Sequence, residues 1–202
     1  MQNNHHFVHP QALCESKQIG ANTKIWAFAH VMDGAIIGDN CNIGGHTFIE
    51  SGAIIGNGVT VKNQVMIWEG IIIEEGVFIG PGVIFTNDSY PRSPRLNDLN
   101  ISKRYSTKES WLKKTYVKYG ATIGAGTILT PGVVIGRYAL IAAGAVVTKN
   151  VKDHQLIKGS PGKPVGWVGC SAKPLRQSEK NIWVCDETGE QFCLAENGLV
   201  LT

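Results

Sequence analysis

The chain has no long hydrophobic run. No stretch approaches the ~20 apolar residues that a membrane span needs, and the N-terminus has no signal-peptide core, so neither a span nor secretion is expected. Paired cysteines are also missing. Cys14, Cys41, Cys170, Cys185 and Cys193 are odd in number and include no CxxC, which argues against a disulfide framework and fits a reduced, cytoplasmic protein. Charge is scarce, at 17% of residues and a net +3. It is scattered apart from a loose basic group between Lys103 and Lys118, so nucleic-acid binding is not expected. What the chain has in excess is glycine, 24 of 202 residues with no collagen period, which predicts many tight turns.

The glycines belong to a repeat. Every sixth residue from Phe7 to Phe85 is large and apolar, through Leu13, Ile19, Ile25, Val31, Ile37, Ile43, Ile49, Ile55, Val61, Ile67, Ile73 and Ile79. At the chain's 43% apolar content such a run arises by chance roughly once in 100,000 in a given register. A second run in shifted register holds Val117, Ile123, Leu129, Ile135, Ile141 and Val147. Four residues after each aliphatic stands a small or β-branched residue, as at Ala29, Ala35, Cys41 and Val59. Directly after it there is often glycine. Period six fits neither a helix nor an alternating strand; it fits a short strand and a corner, three per turn, with two inward positions in each hexad.

The segments IGANTK, IGDNCN, IGNGVT, IGPGVI and IGAGTI resemble the [LIV]-G-x-x-[STAV]-x motif of the hexapeptide-repeat family over about residues 13 to 165. The resemblance implies an all-β fold: a left-handed parallel β-helix with three hexads to each turn, and a homotrimer. The expected organisation is a β-helix acyltransferase domain over residues 7–165 with one long inserted loop at about 88–116. A small C-terminal β-meander cap follows over 166–202, drawn from NIWVC, EQFCL and LVL. Cys185 and Cys193 lack the partners of a zinc knob, so no metal is expected.

With three hexads to the turn, Ser51, Glu69 and Asn87 stack at one corner and Glu50, Trp68 and Thr86 beside them. The proline-broken, charged insert (Pro91, Pro94) leaves the coil directly above a carboxylate and an indole, a placement that reads as a binding site. Its Arg92, Arg95, Lys103 and Arg104 could meet a phosphate, with Tyr90, Tyr105 and Trp111 available for stacking. His46, stacked between Phe28 and Gln64 at another corner, is the best general-base candidate for acyl transfer, and His30 a weaker one. His5, His6, His9 and His154 are given no role.

HTFIE, IWEG and FIGPGVIFTND-YPRS together are similar to the sugar-nucleotide 3-amino N-acetyltransferases of surface-polysaccharide biosynthesis. That resemblance implies that the Phe85–Asp88 segment touches the sugar and its amine, with Asn87 or Asp88 orienting the amine and Trp68 and Glu69 beside them. It implies that Tyr90, Arg92 and the loop hold the nucleotide end. Asp88 favours a dTDP-linked 3-amino-3,6-dideoxyhexose. The AAGAVVTKNV and GSPGKPVGWV stretches resemble the acetyl-CoA segment. Ala142, Ala143 and Gly144 would admit the pantetheine to the backbone, and Lys149, Lys158 and Lys163 would meet the phosphates of acetyl-CoA as co-substrate, with no permanently bound cofactor. Three alternatives stay open: a UDP-linked amino-uronic acid, a small acceptor such as serine, and a non-catalytic scaffold.

Overall fold

The computed structural model of the chain describes residues 5–202. Short parallel strands stack into about eight turns of a left-handed parallel β-helix with three flat faces. Face 1 carries Asn42–Ile43, Thr60–Val61, Phe78–Ile79, Thr122–Ile123 and Leu140–Ile141 among its strands. Face 2 carries His30–Val31, Phe48–Ile49, Met66–Ile67, Ile84–Phe85 and Ile128–Leu129. Face 3 carries Ile36–Ile37, Ile54–Ile55, Ile71–Ile73, Thr115–Val117 and Val134–Ile135. Strand partners stand three hexads apart along the chain, as Asn42 and Thr60 do, so equivalent side chains stack inside. Ile25, Ile43, Val61, Ile79, Ile123 and Ile141 are fully buried in one such stack, and alanines and valines such as Ala29, Ala53 and Val65 fill the corners. Each buried Ile or Val contributes about 1.5–3 kcal/mol of apolar transfer, which is how strands of two residues persist.

The first turn departs from the six-residue frame. Phe7 pairs with Lys24 and Leu13 with His30, one position short of three hexads, whereas Ile19 pairs with Ile37 in frame. Phe7 and Leu13, expected inside, therefore point outward and are exposed, and Val8 and Cys14 take the inward places. A one-residue slip in a two-residue period turns a side chain to the other face.

The corners are set by left-handed backbone. Between faces 1 and 2 the successive residues at positive φ are Phe28, His46, Gln64, Gly82, Gly126 and Gly144. The insert leaves the corner between faces 2 and 3. Phe78 pairs with Thr60 behind it but with Thr122 ahead, so the insert more than doubles the length of that turn. It is structured: helix α1 (Leu99–Arg104) is N-capped by Asp98, whose Oδ1 accepts from the backbone N–H of Asn100 and Ile101. At the C-terminal end, strand Lys163–Trp167 pairs antiparallel with Gln155–Lys158, across the boundary expected at 165. The chain then forms an antiparallel sheet in the order Arg176–Glu179, Ile182–Val184, Gln191–Ala195, Gly198–Leu201, whose buried Phe192 packs on His154.

Candidate active site

Two sites emerge, at different corners of one chain. At the corner between faces 2 and 3 the column expected from the three-hexad turn is present. The Glu50 carboxylate accepts from the Glu69 N–H at 2.8 Å, and the Asn87 side-chain amide donates to the Glu69 carbonyl at 3.2 Å. Beside it the Trp68 indole N–H donates to the Phe85 carbonyl at 3.0 Å, with Phe48 against the ring at 5.7 Å. Glu69 is a quarter exposed and its Oε1 pairs with the Lys108 ammonium at 2.6 Å. The bond to Glu69, with the charges of Glu69, Glu50 and Glu109, raises the Lys108 pKa above the usual lysine range. This corner is a partly enclosed acidic seat that already holds an ammonium supplied by the insert.

Two expectations change here. Phe85, expected to touch the sugar, is 1% exposed and fills the coil interior with Leu129 above it, so its side chain cannot reach a ligand; only its carbonyl faces the corner. Asp88, expected to orient an amine, is spent on the loop. Its carboxylate accepts from the Arg104 guanidinium, the Tyr105 phenol at 2.7 Å and the Tyr90 N–H at 2.9 Å. Burial pushes its pKa up, but the bonds from Arg104, Tyr105 and Tyr90 outweigh that and hold it below the ordinary carboxylate value. Arg104 and Tyr105, considered for phosphate and stacking, are thereby committed to this clamp. Tyr105 further accepts from the Arg92 N–H at 3.0 Å and packs on Trp111 at 5.9 Å. The side chains of Tyr90, Arg92 and Arg95 stay exposed, free to meet a ligand.

At the corner between faces 1 and 2 lies His46. Its ring is exposed and stacks on Phe28 with centroids 4.9 Å apart and planes at 23°, as the turn period implied. The Cβ positions of Gly82, Gly126 and Gly144, further along this edge, open onto empty space. Ala142, Ala143 and Gly144 therefore share a bare edge with His46, four turns away, which at a strand spacing of ~4.8 Å is about 19 Å. Lys158 and Lys163 face each other across the hairpin next to Val146, and Lys149 is exposed nearby. His30 is on face 2, 3.2 Å from Glu15 and edge-on to Phe48. His46 and the Glu69–Asn87 column do not meet within one chain. Among the described residues, no group of three or more His, Cys, Asp or Glu side chains could hold a metal ion.

Lys108 and Lys62 were missed by sequence reasoning. Lys108 reaches Glu69 across 39 residues of chain, a separation that no period predicts. Lys62 lines the cavity beside His46.

The family described as bacterial transferase hexapeptide (six repeats) matches residues 16–51 and 115–149, and the hexapeptide repeat of succinyl-transferase matches 34–69. The dTDP-3-amino-3,6-dideoxy-alpha-D-galactopyranose 3-N-acetyltransferase of Aneurinibacillus thermoaerophilus is 49% identical over 190 residues, covering 94% of this chain and 92% of its own. Among solved structures, a hexapeptide transferase family protein from Anaplasma phagocytophilum aligns with a TM-score of 0.53 at 19% identity, over 81% of this chain and 79% of that one. The acetyltransferase domain of PglB from Neisseria gonorrhoeae aligns at 0.50 and 19%, over 78% and 56%. The two structures speak to the fold alone, whereas the first relative is alike along nearly its whole length. The chain belongs to the hexapeptide-repeat acyltransferases, in the branch of the sugar-nucleotide 3-amino N-acetyltransferases.

Proposed function

We propose that this protein moves an acetyl group from acetyl-CoA to the amino group of a dTDP-linked 3-amino-3,6-dideoxyhexose, as a step in surface-polysaccharide biosynthesis. The observation that carries the reading is the acidic seat under the insert. Glu69 binds an ammonium there, from Lys108, and an amino sugar presents the same group to the same carboxylate. Asn87, whose amide nitrogen is engaged by the Glu69 carbonyl, turns its amide oxygen to the acceptor amine. Its neighbour Asp88 holds the loop in place. The bare edge from Gly144 toward His46 suits an extended pantetheine, with its phosphates at Lys158 and Lys163, Lys149 nearby, and its thioester at His46.

The chemistry is amine attack on a thioester. The seated ammonium first gives one proton to water; the freed nitrogen lone pair then forms the C–N bond, the carbonyl becomes a tetrahedral oxyanion, and its collapse expels the CoA thiolate. The attacking nitrogen loses a proton to His46, which passes it to the thiolate. Positioning the two substrates supplies most of the rate. Because His46 and the Glu69–Asn87 column occupy different corners, a working site takes the first corner from one subunit and the second from its neighbour. A head-to-tail ring of three subunits makes that contact three times over. The outward apolar ladders on face 2 (Leu13, Met66, Ile84) and face 3 (Ile36, Ile54) fit such packing.

Release of free CoA thiol from acetyl-CoA tests the function directly. Rapid release with a dTDP-3-amino-3,6-dideoxyhexose and none with serine or a galactoside is expected. Turnover of the small acceptors alone would overturn the reading.

A further inference from the structure

A cavity of about 540 Å³ lies beside His46 on face 1, and none of the roles above accounts for it. Its walls include His9, Trp26, Phe28, Lys62 and Asn63 as well as His46, and no acidic side chain. Trp26 and Phe28 are 41% and 53% exposed, on a face whose other outward residues include Lys24, Asn42 and Thr60. The indole is not loose. Its N–H donates to the Asn42 side-chain oxygen at 2.9 Å, and Phe7 packs on it at 5.7 Å, so the ring is held in place where it lines the cavity. The floor is bare backbone at Gly44 and Gly45; a Cβ on Gly45 would stand 2.7 Å from the Ala27 carbonyl. Phe28, His46 and Gln64 hold left-handed backbone that the later turns of the same corner give to Gly82, Gly126 and Gly144. A bulky residue at positive φ costs of order 1–3 kcal/mol, and such strain concentrates at functional sites.

The charge of the cavity narrows the occupant. Lys62 makes no ion pair among the described residues, and its ammonium lies 6.0 Å from the centre of the Phe78 ring. The insert is also basic, with seven Lys and Arg against three acids from Asp88 through Lys114. A cationic loop and a cationic aromatic cavity do not cover each other unaided, and an anion placed between them satisfies both. An amino-sugar nucleotide has the matching polarity, an ammonium at one end and a base with two phosphates at the other.

On the reading that the acceptor is a sugar nucleotide, we infer that this cavity seats its nucleoside diphosphate end, the base against Trp26 and the phosphates at Lys62. The insert of a neighbouring subunit, through its Tyr90 and Arg92 side chains, then closes over the diphosphate from outside, without holding the base. The CoA nucleotide is kept apart at the far end of the bare edge.

Calorimetric titration of the full chain with dTDP, which has no sugar or amine, tests the site. Lys62→Gln and Trp26→Leu are each expected to weaken dTDP at least tenfold, with acetyl-CoA affinity and melting temperature unchanged. Unchanged dTDP affinity in both variants, with loss in Arg92→Gln, would place the nucleotide under the loop and overturn the subsite. No dTDP binding by the unsubstituted protein would overturn it too, and CoA release with the dTDP-amino sugar would then leave the proposed reaction standing. Tight dTDP binding lost in Lys62→Gln, with no amino-sugar nucleotide acetylated, would keep the subsite and sink the reaction instead.

Discussion

Replacing Asp88 by Asn separates a residue that shapes the loop from one that touches the reacting atoms. The side chain keeps its size and one acceptor oxygen, so the Tyr90 N–H retains a partner. What is lost is an ionised acceptor for the Tyr105 phenol at 2.7 Å and the counter-charge of Arg104. A hydrogen bond to a charged acceptor contributes about 1.5–3 kcal/mol, and Asn restores part of it. Leaving out the Arg104 pair, which is open to solvent on its guanidinium side, the clamp weakens by about 1–2 kcal/mol, or roughly tenfold in the closed loop. α1 buries no residue and the coil core lies elsewhere, so the melting temperature should move by no more than about 2 °C. Steady-state kinetics should show the KM for the sugar nucleotide up about tenfold, with kcat within about threefold and the KM for acetyl-CoA unchanged. A thousandfold fall in kcat at constant KM would refute the assignment and return Asp88 to the chemistry. The pH dependence has a definite sign. The folded carboxyl titrates below its unfolded value, so the clamp contributes fully above the ordinary carboxylate range. It is lost only as pH falls through the lowered folded value.

His46→Asn keeps a residue that tolerates the left-handed backbone at φ 58 while removing the proposed base. A fall in kcat of about 10²–10⁴-fold is expected, and near-full turnover would show that the protein supplies no essential base. Gly45→Ala drives a Cβ to 2.7 Å from the Ala27 carbonyl, a contact that something must relieve. Chemical denaturation should register a loss of about 1–3 kcal/mol, and an unchanged midpoint would mean that the corner yields freely. His154 stacks on Tyr138 and its Nδ1–H donates to the Val168 carbonyl at 2.9 Å, with burial pushing its pKa below the usual histidine value. It folds neutral, so its contribution is complete above about pH 6.5 and is lost as pH falls from there toward its lowered folded value. His154→Asn should flatten the decline in melting temperature across that window, and an identical slope would assign the decline to other groups.

The inward residues from Ile25 to Phe85 and from Val117 to Val147 could be named from the chain alone, because a closed coil leaves each hexad one orientation relative to the core. The corner columns followed from the same period, and His46 on Phe28 and Asn87 on Glu69 are where it places them. The first turn escaped it, since a one-residue offset leaves the apolar spacing intact while turning Phe7 and Leu13 outward.

The repeat itself determined the coil, its three-hexad turn and the place where the insert leaves it. Those are consequences of local chain geometry repeated until neighbouring turns stack. The tertiary structure alone decided how the insert folds back. Asp88 is drawn to Arg104 and Tyr105, and Glu69 to Lys108, because opposite charges and unfilled hydrogen bonds meet through space across separations that no period encodes. It also decided that His46 and the acidic seat stand on different edges of one prism and do not meet within one chain.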